Sequence, residues 1–243
     1  TYAVPDGVLI VRPSAFNGAA HLTDVTLPDT VTTLLGNAFY ACTGVKVFDV
    51  PAGTQTLNNY SLAFGTEVTD DLGNKTYTTS LEALIFHGDY NVSLKNDIFF
   101  NLDTLTVFYP ANNTTWSDNL ATAQAKHPNV HFVSYDEATQ NPRNIHTLTF
   151  TTDAHAAAMT TTETPEALTS LTLRESVYSF TVTTDAGYTV ASVKAGDTTL
   201  TPDENGVYTI APTADTEITV TSVEAYYSVQ FISADGQAKI YNG

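Results

Sequence analysis

The segment Ser14–Pro28, SAFNGAAHLTDVTLP, is answered 23 residues later by Asn37–Pro51, NAFYACTGVKVFDVP. A shift of 23 superposes Pro5, Pro28 and Pro51, as it does Val4, Leu27 and Val50, and Tyr2, Val25 and Phe48. This period constrains the fold more than any single motif does. A unit of this length holds one strand and one turn, too little to bury an apolar face alone, so stability requires that units stack and share a core.

Within the unit, Val25 and Leu27 are two apart, as are Phe48 and Val50, so each pair points to one side of a short strand, into the core. The Phe of each Ala-Phe pair, Phe16 and then Phe39, is the expected plug from the opposite side, and Pro ends the strand by removing a ladder donor. A third unit keeps Ala63-Phe64, but its strand, within Ser80–Phe86, arrives 11 residues late. The intervening GTEVTDDLGNKTYTT carries Gly73-Asn74 between alternating flanks and predicts a projecting β-hairpin. A fourth unit has Phe99 as plug and Leu105–Pro110 as strand, one residue short. Thr115 and Asp118 then form a capping-box pattern, with Trp116, Leu120 and Ala123 on one helical face and Pro128 as the stop. A short helix is expected over the open end of the stack, followed by a last strand at Val130–Tyr135.

The pattern resembles the leucine-rich repeat class of BspA-type bacterial surface proteins over residues 1–137, and Tyr109–Asp118, YPANNTTWSD, resembles the segment that ends such arrays. Ala19 stands where the family often has Cys, and His87 where Pro would close the third strand. The resemblance implies a leucine-rich solenoid and an adhesion or host-interaction role at the bacterial surface or in secreted form.

From Ile145 the period disappears and Thr-rich alternating segments take over: HTLTFTT, SVYSFTVTT, YTVASVKA, GVYTIAP and EITVTSV. Their turn-punctuated spacing predicts a small β-sandwich over 145–225, similar to the immunoglobulin-like spacer modules of bacterial surface proteins. Residues 138–144 form the expected linker, and 226–243 read as final strands or the start of a further module. The fold class expected is therefore mainly β, a short leucine-rich repeat solenoid with a capping helix followed by an immunoglobulin-like sandwich. The chain reads as a piece of a longer protein.

Twenty-six acidic residues face nine basic ones, a formal charge of −17 that repels phosphate backbones and anionic lipid. Nucleic-acid binding is thereby disfavoured, as is membrane insertion, for which no apolar run is long enough. Cys42 has no partner in the chain and reads as a packed thiol. No Ser-His-Asp set, phosphate loop or zinc motif occurs, so neither enzymatic activity nor a cofactor is expected. Pro128 separates His127 from His131 and breaks the helical spacing a metal would need. Asp70, Asp71 and Asn74 suit Ca²⁺ by chemistry but equally suit a turn.

Committing Val25, Leu27, Phe48, Val50, Leu84 and Phe86 to the interior leaves an outward row of Asp24, Thr26, Val47, Asp49, Ala83 and Ile85, with His87 at its edge. Val47, Ala83 and Ile85 gain nothing from burial in their own coil, so this row is the candidate contact surface for a host or extracellular protein or a glycan. The alternatives are a structural stalk or spacer, or an accessory region of a larger surface enzyme.

Overall fold

In the computed structural model, which describes residues 1–95, 98, 105–226, 229–232 and 238–241, the 23-residue period becomes strand register. The first three repeats each give two short strands: β1 (Tyr2–Ala3) and β2 (Ile10–Val11), β3 (Val25–Thr26) and β4 (Thr33–Leu34), β5 (Val47–Val50) and β6 (Thr56–Leu57). Tyr2 pairs with Val25 in parallel, and Ile10, Thr33 and Thr56 line up across β2, β4 and β6. Between the strand sets the chain turns through Ser14, Asn37 and Tyr60, which share left-handed backbone at φ 58°, 57° and 60°. The repeat is thus conformational as well as chemical. Close stacking also requires a missing side chain: a Cβ on Gly53 would lie 2.0 Å from the Asp29 carbonyl oxygen of the coil before.

The insertion after the third plug is an antiparallel hairpin, β7 (Thr66–Thr69) and β8 (Lys75–Thr78). The next strand, β9 (Ala83–Phe86), then pairs in parallel with β5, Val47 facing Ala83 at a spacing of 36 residues. The delay is therefore longer than the 11 residues expected. From β9 to β10 (Thr106–Pro110) the spacing is again 23, Ala83 facing Thr106. Phe99, the expected fourth plug, lies outside the described residues. Helices α1 (Thr114–Ser117) and α2 (Leu120–Lys126) follow, and β11 (His131–Tyr135) ends the β5-β9-β10-β11 sheet. Asn113, rather than Thr115, caps α1: its side chain accepts from the Thr115 N–H at 3.0 Å.

Every inward residue named from the alternation is buried, Val25, Phe48 and Leu84 completely. Phe16, Phe39 and Phe64 form a stack with centroid separations of 5.2 and 5.1 Å, and Phe48 tilts onto Phe39 at 4.8 Å. Phe39 and Phe64 are fully enclosed, whereas Phe16, at the end of the stack, is half-buried rather than buried as expected. At the other end Trp116 is buried against Tyr109 and donates its ring N–H to the Gly88 carbonyl at 3.0 Å.

Two compact units divide the chain, Thr1–Ile145 with Arg174–Val177, and His146–Leu173 with Tyr178–Gly243. Residues 138–144, expected as a linker, fall within the first. The second unit is built, but for the end residues Ile145 and Arg174, from β12 (Ile145–Thr152), β13 (Ala156–Thr160), β14 (Ser170–Arg174), β15 (Tyr178–Thr184), β16 (Tyr188–Ala195), β17 (Thr198–Thr199), β18 (Val207–Ile210) and β19 (Thr216–Glu224). They form sheets of order β14-β12-β19-β16-β17 and β13-β15-β18. Leu148, Phe150, Val193 and Ile218 from one sheet share a core with Ala158, Phe180 and Tyr208 from the other. A last antiparallel pair, β20 (Val229–Ile232) and β21 (Ala238–Tyr241), follows; Asp235-Gly236, a hairpin-turn signal in the sequence, lies outside the described residues.

Candidate interaction site on the strand face

The parallel strands bring the outward row together, because in-register pairing sets Val47 beside Ala83 and Asp49 beside Ile85. Its accessibility differs from expectation. Thr26 is exposed and Val47 partly buried, but Ala83 and Ile85 are completely buried, in a small second core with Phe108 and Tyr135. The outward face of β5, β9, β10 and β11 is apolar enough to need cover, and the first unit supplies it from its own chain. Val177 N–H donates to the Ser134 carbonyl at 2.9 Å, and Arg174 reaches Glu82 at 2.6 Å, fastening Arg174–Val177 across the face. Pro142 and Gln140 are buried in the segment after β11. Ala83 and Ile85 therefore offer nothing to a partner.

The polar members of the row meet in one network. Arg143 donates through Nε to Asp49 Oδ2 at 2.6 Å and through Nη2 to Asp24 Oδ1 at 3.2 Å, bridging two successive repeats. Asp49 Oδ1 lies 2.7 Å from His87 Nε2, and the other ring nitrogen lies 3.1 Å from the Tyr135 hydroxyl. That hydroxyl is also 3.0 Å from the Phe86 carbonyl and 3.2 Å from the Glu137 carboxylate. Burial alone would raise the Asp49 pKa, but hydrogen bonds from His87 and Arg143 outweigh it and hold the carboxyl below its ordinary range. His87 is shifted up, first by its hydrogen bond to Asp49 and then, against the opposing effect of burial, by the charges of Asp49, Glu137 and Asp29. Burial, then the charge of Glu137, pushes the Tyr135 phenol up. Asp49, His87, Tyr135, Glu137, Asn141 and Arg143 line an open cleft of about 470 Å³.

Arg143, Tyr135 and Glu137 were missed by sequence reasoning, which placed Arg143 in a linker. The available signal was the apolar outward row itself: Val47, Ala83, Ile85, Phe108 and Val133 on adjacent strands demand a cover.

Elsewhere the candidate ligands have structural employment. Asp70 accepts from the N–H groups of Leu72 and Asn74 at 2.9 and 2.8 Å and from the Asn74 side chain at 2.9 Å, closing its own turn. His127 Nε2 lies 2.7 Å from the Leu94 carbonyl. Cys42 is buried with its thiol 3.0 Å from the Phe16 carbonyl, and burial pushes its pKa up to about 11. Among the described residues no three His, Cys, Asp or Glu side chains are grouped to hold a metal, and no helix is long and apolar enough to cross a membrane.

Searches of curated proteins and of solved structures gave no match. The family model described as the BspA type leucine rich repeat region matches in six copies across residues 1–126, more than half of the chain, and the chain belongs to that family.

Proposed function

We propose that the protein is a non-enzymatic, extracellular bacterial surface protein that recognises a protein or glycan partner through the strand side of its repeats. In this reading the first unit is a short leucine-rich solenoid closed by its helical cap, and the second is an immunoglobulin-like sandwich acting as a spacer. The supporting observation is the Asp24–Arg143–Asp49–His87 network. It joins carboxylates from separate repeats to Arg143 from the segment after β11, at the edge of an open cleft, with each group held by its neighbours. Side chains fixed before contact lose little freedom on binding, which favours selective recognition of polar partners. The contact surface is the accessible part of the row, Asp24, Thr26, Val47, Asp49 and His87, extended by Arg143. Ala83 and Ile85 serve beneath it as packing.

The test is a screen of extracellular-matrix proteins and a glycan array, followed by Thr26→Arg, which alters an exposed side chain without touching the core. Loss of binding at unchanged thermal stability supports the assignment. Undiminished binding by Thr26→Arg and by His87→Ala rejects this face.

A further inference from the structure

The β7–β8 hairpin breaks a 23-residue rhythm kept on both sides of it, and it contributes little to the core. Leu72 at its tip is 87% exposed and Val68 is 46% exposed. Insertions in repeat arrays gather on one face, often the binding face. Such a loop is tolerated at low entropic cost, but nothing in the fold requires its apolar side chains to stand in water.

The base of the hairpin is built on tyrosines. Glu67 N–H donates to the Tyr40 hydroxyl at 3.2 Å, Tyr77 donates its hydroxyl to Glu67 Oε2 at 2.6 Å, and Lys75 pairs with Glu67 Oε1 at 2.7 Å. Tyr60 lies within electrostatic reach of Tyr77. It also occupies the left-handed turn position that Ser14 and Asn37 fill in the earlier repeats. Asn tolerates that backbone and Tyr does not gain by it, so the choice of Tyr60 is unexplained by the turn. Tyr60 is 36% exposed as a residue. Tyrosines of this kind are enriched at protein interfaces because they supply large contact area with a polar tip.

We propose that this hairpin, with Tyr60 beside its base, is a second contact element that binds an extended, basic segment of a protein partner. The occupant follows from three features. No third strand pairs with the β7–β8 sheet among the described residues, and with the Glu67 N–H on the β7 side taken by Tyr40, the β8 edge is the one to receive a strand. Leu72 and Val68 offer apolar anchors. Asp70 and Asp71 favour Lys and Arg through charge, on a chain of formal charge −17. The element stands on the turn side of its coil, apart from the strand row, so it goes beyond the proposed function and fails or survives separately.

Short random peptides displayed on phage are panned against the full chain, and enriched sequences are synthesised and titrated while amide chemical shifts are followed. Enriched peptides are expected to alternate Lys or Arg with apolar residues and to perturb Thr66–Thr78 and Tyr60. Leu72→Ser and Tyr60→Asn, the latter keeping a residue suited to the left-handed turn, should each weaken binding by about tenfold. A footprint on the strand row instead, binding undiminished in both variants, or no enrichment of basic peptides overturns the proposal.

Discussion

Truncating Phe39 to Ala tests the stacking of the repeats most directly. The ring is fully buried, lies between Phe16 and Phe64 at near-parallel inclinations of 5° and 10°, and meets Phe48 from the side. Removing a core Phe costs about 3–5 kcal/mol, because the transfer energy is lost and the surrounding wall only partly collapses. Three aromatic neighbours, each adding up to about 1 kcal/mol beyond area, place this site in the upper half of that range. Phe16→Ala is the matched control. It removes the same atoms from a half-buried position at the end of the stack, with Phe39 on one side and Tyr2 at its edge, and should cost about 1–2 kcal/mol. Urea unfolding followed by the fluorescence of Trp116, the single tryptophan, reports on the first unit. Equal costs for the two variants, or a cost below about 1 kcal/mol for Phe39→Ala, would refute a continuous aromatic stack as the source of stability.

Gly53→Ala should lower the urea midpoint by more than an ordinary surface change, since the new methyl meets the backbone oxygen of Asp29 rather than a movable side chain. Stability should also depend on pH through the His87–Asp49 pair. His87 has a raised folded pKa, so its contribution is complete below its unfolded value near 6.5 and fades as pH climbs through the folded value. Asp49 has a lowered one, so its contribution is complete above about 3.8 and fades as pH falls through the folded value. The network is therefore strongest between those limits. A thermal-melt series for His87→Ala should lose the alkaline-side decline expected of the parent, and an identical pH profile would show that the pair does not stabilise the fold.

The stacked part of the fold was readable because a period repeats its evidence. Val25, Phe48 and Leu84 each occupy the same inward site, and one exposed member would have broken the register. The insertion hides its own length but not the register: β9 follows β5 by 36 residues, and Leu84 still falls opposite Phe48. In the second unit, β12, β15 and β16 announce themselves through alternating Thr and aliphatic residues. Strand β13, with its Ala156-Ala157-Ala158 run, has little β-propensity and is held by pairing to β15. The candidate site was half legible. Asp24, Asp49 and His87 fall on one face by local geometry, whereas Arg143 reaches them from 94 residues beyond Asp49. Alternation within a strand says which way a side chain points; it carries no information about what a distant segment lays over it. That is why Ile85 was expected in water and is found in a core.

The turn-side ladder described by Phe16 N–H to Ala38 O at 2.8 Å and Gly18 N–H to Tyr40 O at 2.9 Å runs, like the strand pairing, from one coil to the next. These bonds all lie along the stacking direction. Tension applied in that direction is borne by one intercoil joint at a time, so the repeats should peel in sequence at modest force. Tension across the coils would load several joints together, in shear, and meet greater resistance. The mechanical strength of the first unit is thus set by the angle at which it is pulled.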